Sequence, residues 1–259
     1  MAGEVGVEIA AGIATVTMNR PAVLNAFDTA QLERLLAAFR DLRADATVRC
    51  VVLTGAGTKA FAAGADIKEM ADLSPAAGLA FGRLGHALTA AVEGLRQPTI
   101  AAVNGYAFGG GCELALACDL RLVSDTAQFA QPEVTLGIPP GWGGTQRLPR
   151  LVGPGLAAEV ILTGRRVGAD EALRIGLVNA VHPADRLLPE AMILAERIAA
   201  ASPRAVRAAK RLLALAFAGD PGAGLATELN QFAASFGTPD QREGMRAFVE
   251  KRAARFGDS

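Results

Sequence analysis

Apolar runs of strand length recur along the chain, with helical patterns between them. CVVLTG (50–55), TIAAVNG (99–105) and LRLVSD (120–125) are the clearest, preceded by IATVTM (13–18). CVVLTG lacks the apolar–polar alternation of a strand with one wet face, so both of its faces must be covered. Strands of that kind are parallel and joined by crossover helices, which points to an α/β architecture. Asp28 and Gln31 have the spacing of a capping box, and Leu32, Leu35, Leu36 and Phe39 then recur at helical spacing. Ser74-Pro75 opens the next helix, with Leu84, Leu88, Val92 and Leu95 on one face. After residue 185 the strand signals stop. Helices beginning near Asp185, Ser202-Pro203, Pro221 and Thr238-Pro239 fill the rest. The expected division is a core over residues 1–200 and a helical region over 201–259, with a soft boundary. No fixed-period repeat and no low-complexity linker interrupts the pattern.

Composition excludes several classes of function. Lys+Arg and Asp+Glu both number 26 in 259 residues, so no net charge favours nucleic acid or a membrane surface. The uncharged run from Gln97 to Cys112 is broken by glycines and is no membrane span. The opening MAGEVGVEIA has two glutamates and no basic residue, unlike a signal or transit peptide. Three cysteines without a CxxC, and only two histidines, argue against a disulfide scaffold and a zinc site. Cys112 and Cys118 read as small core residues, and a reducing cytoplasm is the expected compartment.

The stretch NGYAFGGGCELALACD (104–119) sets three glycines before an apolar helix that carries one carboxylate, Glu113. Glycines let a backbone come close to a ligand, and a helix N-terminus offers free N–H donors, so this is a candidate oxyanion or phosphate site. No Gly-Lys-Ser/Thr follows, which excludes a Walker loop, and GAGTKAFAAG (55–64) does not fit the dinucleotide fingerprint. Glu113 has two readings: a charge that merely complements the helix dipole, or a buried catalytic group. Glu133, in a Pro- and Gly-rich segment, is either a solvated loop carboxylate or its partner. Two carboxylates beside donor N–H groups are what proton transfer next to a carbonyl requires. In KAFAAGADIKEM (59–70) the Gly64-Ala65 turn presents one more backbone N–H, and Asp66 reads as a turn or cap residue.

AFAAGADIKEM (60–70), NGYAFGGGCELALACD, QPEVTLGIPPGWGGTQRL (131–148) and LTGRRVGADEA (162–172) together resemble the enoyl-CoA hydratase/isomerase (crotonase) family, in its order and spacing. The likeness runs from NRPAVLNAF (19–27) to REGMRAFVEKR (242–252) and is greatest to the two-glutamate hydratases. It implies a crotonase-like spiral of β-β-α units with a helical C-terminal trimerisation region, in a homotrimer or dimer of trimers. It also implies an acyl-CoA thioester substrate whose oxygen lies between the amides of Ala65 and Gly110. By the same resemblance Glu113 deprotonates the attacking water, Glu133 delivers a proton to Cα, and the Gly141 amide helps hold that water. Asp66, Ile67 and Trp142 are implied substrate contacts, and three of the chain's four lysines, Lys59, Lys68 and Lys251, fall in motifs that the family places near CoA. Trp142 stands where short-chain hydratases carry a small residue, so the acyl preference stays open. No cofactor or metal is expected, since CoA belongs to the substrate.

The reading is therefore a 2-enoyl-CoA hydratase of fatty-acid or related acyl-CoA degradation. Its alternatives are an enoyl-CoA isomerase and a non-catalytic acyl-CoA- or RNA-binding member of the fold. The arginine-rich basic set, with four lysines among 26 basic residues, suggests a GC-rich bacterial genome.

Overall fold

The computed structural model describes residues 4–217 and 219–257. The chain opens with an antiparallel hairpin of β1 (Glu4–Ala10) and β2 (Ile13–Asn19), in which Val7 faces Val16. Helix α1 (Thr29–Ala44) follows. Its N-cap Asp28 accepts a hydrogen bond from the Gln31 amide at 2.7 Å, while the Gln31 side chain is buried with neither polar atom partnered among the described residues. Half of the expected capping box forms, and the Gln31 side chain does not reach back.

From there the chain repeats one move: a long strand, a short strand, then a helical segment. β3 (Cys50–Gly55) and β4 (Ala60–Ala62) lead to the one-turn α2 (Ile67–Met70) and the long α3 (Pro75–Glu93). β5 (Thr99–Val103) and β6 (Tyr106–Phe108) lead to α4 (Gly110–Ala117). β7 (Leu120–Ser124) and β8 (Gln128–Ala130) lead to a 3-10 turn, Pro132–Leu136. α5 (Gly144–Val152), α6 (Pro154–Thr163), β9 (Val167–Gly168), α7 (Ala169–Arg174) and β10 (Ala180–His182) complete the core. The long strands, with the three-residue β10 at the edge, form a sheet of order β1-β2-β3-β5-β7-β10, and the other short strands a second sheet, β4-β6-β8-β9. This is the β-β-α spiral. The repeat is invisible in sequence because its long strands start at residues 50, 99 and 120, at unequal intervals.

TIAAVNG reads as one strand, yet β5 stops at Val103 and the chain turns a corner into the second sheet. Asn104 builds that corner: its Nδ2 donates to the Gly55 and Gly57 carbonyls at 2.9 and 2.8 Å, and its Oδ1 accepts from the Gly55 amide at 3.2 Å. Both faces of the large sheet are covered, as the continuous apolar runs require. Val51, Leu53, Ala101 and Val103 face a core shared with α1, α3 and α4. Cys50, Val52, Ile100 and Ala102 face Leu187, Ala191, Ala195 and Ala199 of α8 (Leu187–Ala199).

The C-terminal helices are α9 (Pro203–Leu215), α10 (Pro221–Ser235) and α11 (Pro239–Val249). Lys210 ties α9 to the sheet through Asp119 at 2.7 Å, and the Ser202 hydroxyl donates to Asp240 at 2.5 Å, joining α9 to α11. α10 buries no residue and exposes Leu225, Leu229 and Phe232, one stripe at helical spacing. No helix among the described residues is long and apolar enough to cross a membrane.

The tightest joint between the two sheets and α4 is at Gly111, where a Cβ would lie 2.0 Å from the Ala62 carbonyl oxygen. That oxygen belongs to a strand and cannot move aside. Gly111→Ala should therefore lower stability by roughly 1–3 kcal/mol. Gly78→Ala, in α3 with open space around it, should raise stability by roughly 0.5–1 kcal/mol. Thermal denaturation of the two variants compares them directly, and equal melting temperatures would contradict the packing at Gly111.

Candidate active site

The glycine stretch positions the first carboxylate. Gly109, at φ 51, turns the chain from β6 into α4, and a Cβ on Gly110 would lie 2.2 Å from the Trp142 ring. Every residue of α4 is buried, so Glu113 cannot reach bulk water and is 1% exposed. A buried carboxylate must find donors. Its Oε1 accepts the backbone N–H of Trp142 at 2.8 Å and of Gly144 at 2.7 Å. Gly144 is the first residue of α5, so Glu113 meets the positive ends of two helices, its own and α5. The simple dipole role does not explain this side chain, because it bridges elements 29 and 31 residues apart.

Glu133 comes from the 3-10 turn after β8 and is 8% exposed. Its Oε1 would stand 3.1 Å from a Cβ on Gly109, and its buried Oε2 has no partner among the described residues. It is therefore not a solvated loop carboxylate. The two acids are near enough for the charge of one to act on the other, and they have different support. Burial pushes Glu113 above the ordinary glutamate range, opposed by the Gly144 and Trp142 amides and by the charges of Arg147 and His86. Burial, reinforced by the charge of Glu113, raises Glu133 to about 7. Two N–H donors from another segment favour the anion on Glu113, while Glu133 has only its own backbone N–H to do so. The pair thus suits a base and an acid working side by side.

Two backbone donors lie beside them. Phe27 bridges the Gly64-Ala65 turn in parallel fashion: its N–H donates to the Gly64 carbonyl and its carbonyl accepts from the Asp66 N–H, both at 2.8 Å. Such a bridge turns the intervening Ala65 N–H to the opposite side, where no acceptor among the described residues takes it. Gly110 N, in the first turn of α4, is likewise without an acceptor. The two turns are neighbours: a Cβ on Gly64 would lie 3.7 Å from Gly110 N.

The other sequence candidates fall in different places. Asp66 caps α2, accepting from the Lys68 amide at 3.1 Å, and pairs with Arg20 at 3.5 Å. Ile67 is half-exposed, and the side chains of Lys59, Lys68 and Lys251 are exposed with no partner among the described residues. Gly141 is exposed on the turn before Trp142. Trp142 itself is 4% exposed, its ring 5.7 Å from those of both Phe27 and Phe81. Its indole fills a slot between Gly85 and Gly110, and its backbone amide serves Glu113. Sequence reasoning missed that amide and Gly144. The signal was present, because Gly143-Gly144 before TQRL repeats the glycines-then-helix pattern of Gly109–Gly111. Burial pushes the thiols of Cys50, Cys112 and Cys118 up to about 12, which leaves them unreactive core residues. Among the described residues no group of His, Cys, Asp and Glu has the arrangement of a metal site.

Comparison with known proteins gives matches over nearly the whole chain. The family described as Enoyl-CoA hydratase/isomerase matches residues 8–259. The Short-chain-enoyl-CoA hydratase of Clostridium acetobutylicum is 47% identical over 240 residues, covering 93% of this chain and 92% of that protein. The Crotonyl-CoA hydratase of Syntrophomonas wolfei is 46% identical over 244 residues, 94% of each chain. The crystal structure of an enoyl-CoA hydratase from Bacillus anthracis superposes with a TM-score of 0.96 at 41% identity, over 98% of this chain and 99% of that one.

The weakened acidity of Glu133 has a thermodynamic consequence. Its folded pKa, about 7, lies above the ordinary glutamate value of 4.5, so protonation favours the fold. That contribution is complete below about pH 4.5 and is lost as pH rises through about 7. Glu133→Gln does not titrate, and its stability relative to the parent should grow across this window by up to about 3 kcal/mol. Denaturant unfolding at a series of pH values measures the difference, and a difference constant with pH would refute a raised Glu133.

Proposed function

The chain belongs to the enoyl-CoA hydratase/isomerase family, and from that premise we infer that it is an enoyl-CoA hydratase. It adds water across the 2,3 double bond of 2-enoyl-CoA thioesters to give 3-hydroxyacyl-CoA. The observation that carries the assignment within the family is the inequivalent carboxylate pair. An isomerase needs one carboxylate to shuttle a proton. Hydration needs one group to take a proton from water and another to give a proton to carbon, and Glu113 and Glu133 have surroundings that suit those two tasks.

In the proposed reaction Glu113 takes a proton from water as the oxygen bonds to C3. The electrons of the double bond move toward the thioester carbonyl, and Glu133 gives its proton to C2. Charge that develops on the carbonyl oxygen is met by the Ala65 and Gly110 amides. Preorganised donors of this kind are each worth about 2.7–4 kcal/mol in the transition state. The Gly141 amide, beside Trp142, is assigned to the same water. No cofactor enters this scheme. Asp66, Ile67 and Lys68, on the edge of the Gly64-Ala65 turn, are assigned to the substrate with Lys59 and Trp142.

We assign residues 201–259 to assembly, as a homotrimer or a dimer of trimers. Support comes from the apolar stripe of α10 and from Phe248 and Val249 of α11, 85% and 80% exposed in the isolated chain. Packing within the chain accounts for Phe256, which lies against Gly244, but not for those residues. Lys251, in a left-handed turn just after α11, is assigned to the phosphates of CoA bound by an adjacent subunit. A bacterial cytoplasm suits three unpaired cysteines.

Glu113→Gln and Glu133→Gln should each fold normally and lower kcat by roughly 10²–10⁴-fold. The double variant should fall short of the product of the two effects, because both act on one transition state. Loss of the conjugated-thioester absorbance of crotonyl-CoA measures all three, and wild-type hydration by either single variant would remove its role. Lys251→Ala should raise KM for crotonyl-CoA with little change in kcat, and the effect should shrink at high ionic strength. An unchanged KM at low salt would remove Lys251 from the CoA site.

A further inference from the structure

The Trp142 amide holds Glu113, and residue 142 is itself gripped from two other helices. Its carbonyl accepts a hydrogen bond from the Thr89 hydroxyl of α3 at 3.1 Å and from Arg147 Nη1 of α5 at 2.9 Å. Arg147 then reaches across to α3, donating from Nη2 to Glu93 Oε2 at 2.8 Å and from Nε to Glu93 Oε1 at 3.3 Å. The guanidinium occupies a seat made for it. Gly143 adopts φ 107, and a Cβ there would lie 2.3 Å from Arg147 Nη1, so any other residue would push the guanidinium off the carbonyl. Thr89 is fully buried, and its hydroxyl lies near only two acceptors, the carbonyls of Trp142 and His86.

Gripping this carbonyl matters because of what the same residue does on its other side. The turn from Pro139 to Gly144 contains three glycines and can otherwise pivot. A pivot would swing the Trp142 N–H away from Glu113. The carboxylate would keep its burial and lose one of the two bonds that favour its charge. We propose that Thr89 and Arg147 are positioning residues for the general base: by fixing the Trp142 carbonyl they hold in place an amide that donates to the Glu113 carboxylate. The basicity of the catalytic carboxylate is then set from α3 and α5, by side chains that touch neither it nor the water. This inference rests on the hydratase reading.

Several charges bear on Glu113. Arg147 from α5 and His86 from α3 favour its ionised form. Glu133 from the 3-10 turn faces it as a like charge. Glu93 sits on the far side of Arg147, paired with it. α4 itself carries no other charged residue. Thr89 is uncharged, which lets placement be separated from electrostatics.

The experiment is the pH dependence of kcat/KM for crotonyl-CoA hydration by Thr89→Val, Thr89→Ser and Arg147→Gln. Glu113→Gln serves as the reference, and circular dichroism and assembly size are checked for each protein. Thr89→Val and Arg147→Gln should lower kcat by roughly 10- to 100-fold, as misplaced catalytic groups do, with KM within about twofold. Their acid limbs should move to higher pH, because a less stabilised carboxylate holds its proton more tightly. Thr89→Ser, which keeps the hydroxyl, should restore both the rate and the limb. An acid limb unmoved in folded Thr89→Val, with Glu113→Gln inactive, would overturn the positioning role and leave the hydratase reading intact. A limb moved equally in Thr89→Val and Thr89→Ser would also overturn it, since the hydroxyl would then be irrelevant. Should Arg147→Gln fail to fold, Arg147→Lys replaces it: the charge remains while the fork to Glu93 is lost, so a wild-type rate there would count against the grip. Wild-type hydration by Glu113→Gln would instead sink the underlying role of the carboxylate.

Discussion

A carboxylate inside a fully buried helix is costly unless donors meet it, and that requirement governs how the centre of this protein is assembled. Glu113 has no route to water from α4, and its two hydrogen bonds come from backbone amides at Trp142 and Gly144. For those amides to arrive, the Pro- and Gly-rich turn before α5 must fold back over the start of α4. The indole of Trp142 then fills the space between Gly110 and Gly85, with Phe27 and Phe81 on its flanks. The charge is thus satisfied by main chain rather than by a counter-ion, which leaves it able to change its protonation state.

The spiral makes this convergence possible. β3, β5 and β7 each give way at a corner to a short strand of the second sheet, and after that short strand the chain turns out into a loop or a helix start. Three such exits supply the Gly64-Ala65 turn, the Gly109–Gly111 helix start and the Gln131–Glu133 segment. Parallel pairing of β4, β6 and β8 carries all three exits to one side of the small sheet. The close approach of Gly111 to Ala62 and of Gly64 to the start of α4 locks two of them together. A pair of carboxylates and a pair of unpaired amides can therefore be brought to one place from segments distant in sequence.

The C-terminal third of the surface follows a different logic. α9 and α11 are tied to the core and to each other by buried or half-buried polar pairs, Lys210 with Asp119 and Ser202 with Asp240. α10 is held with no buried residue at all, and its apolar stripe looks outward. Such a surface suits burial against further copies of the chain, which is how the proposed assembly uses it. The four lysines divide accordingly: Lys210 is committed to the internal pair, while Lys59, Lys68 and Lys251 are exposed, as the proposed CoA site requires.

Local chemistry determined much of this from sequence alone. Continuous apolar runs demand coverage on both faces, so the buried parallel sheet was legible in CVVLTG and its counterparts. Caps at Asp28, Ser74, Ser202 and Thr238 begin their helices where the sequence places them. Glycines before an apolar helix marked Gly110 and Glu113, and the order of the motifs marked the family. The short strands were not legible as elements, because three residues carry too little periodicity to register, and Asn104 ends β5 only by reaching Gly55 and Gly57. Apart from the family resemblance, which implies different roles for them, the residue pattern did not distinguish the two glutamates. Both look like acids near glycines, and what separates them is which backbone amides arrive from elsewhere in the chain. The grip of Thr89 and Arg147 on the Trp142 carbonyl joins residues 53 and 5 positions from it. Hydrogen bonding across a folded core has no signature in local pattern, so the backbone donors to Glu113 and the grip on the Trp142 carbonyl were decided only by tertiary structure.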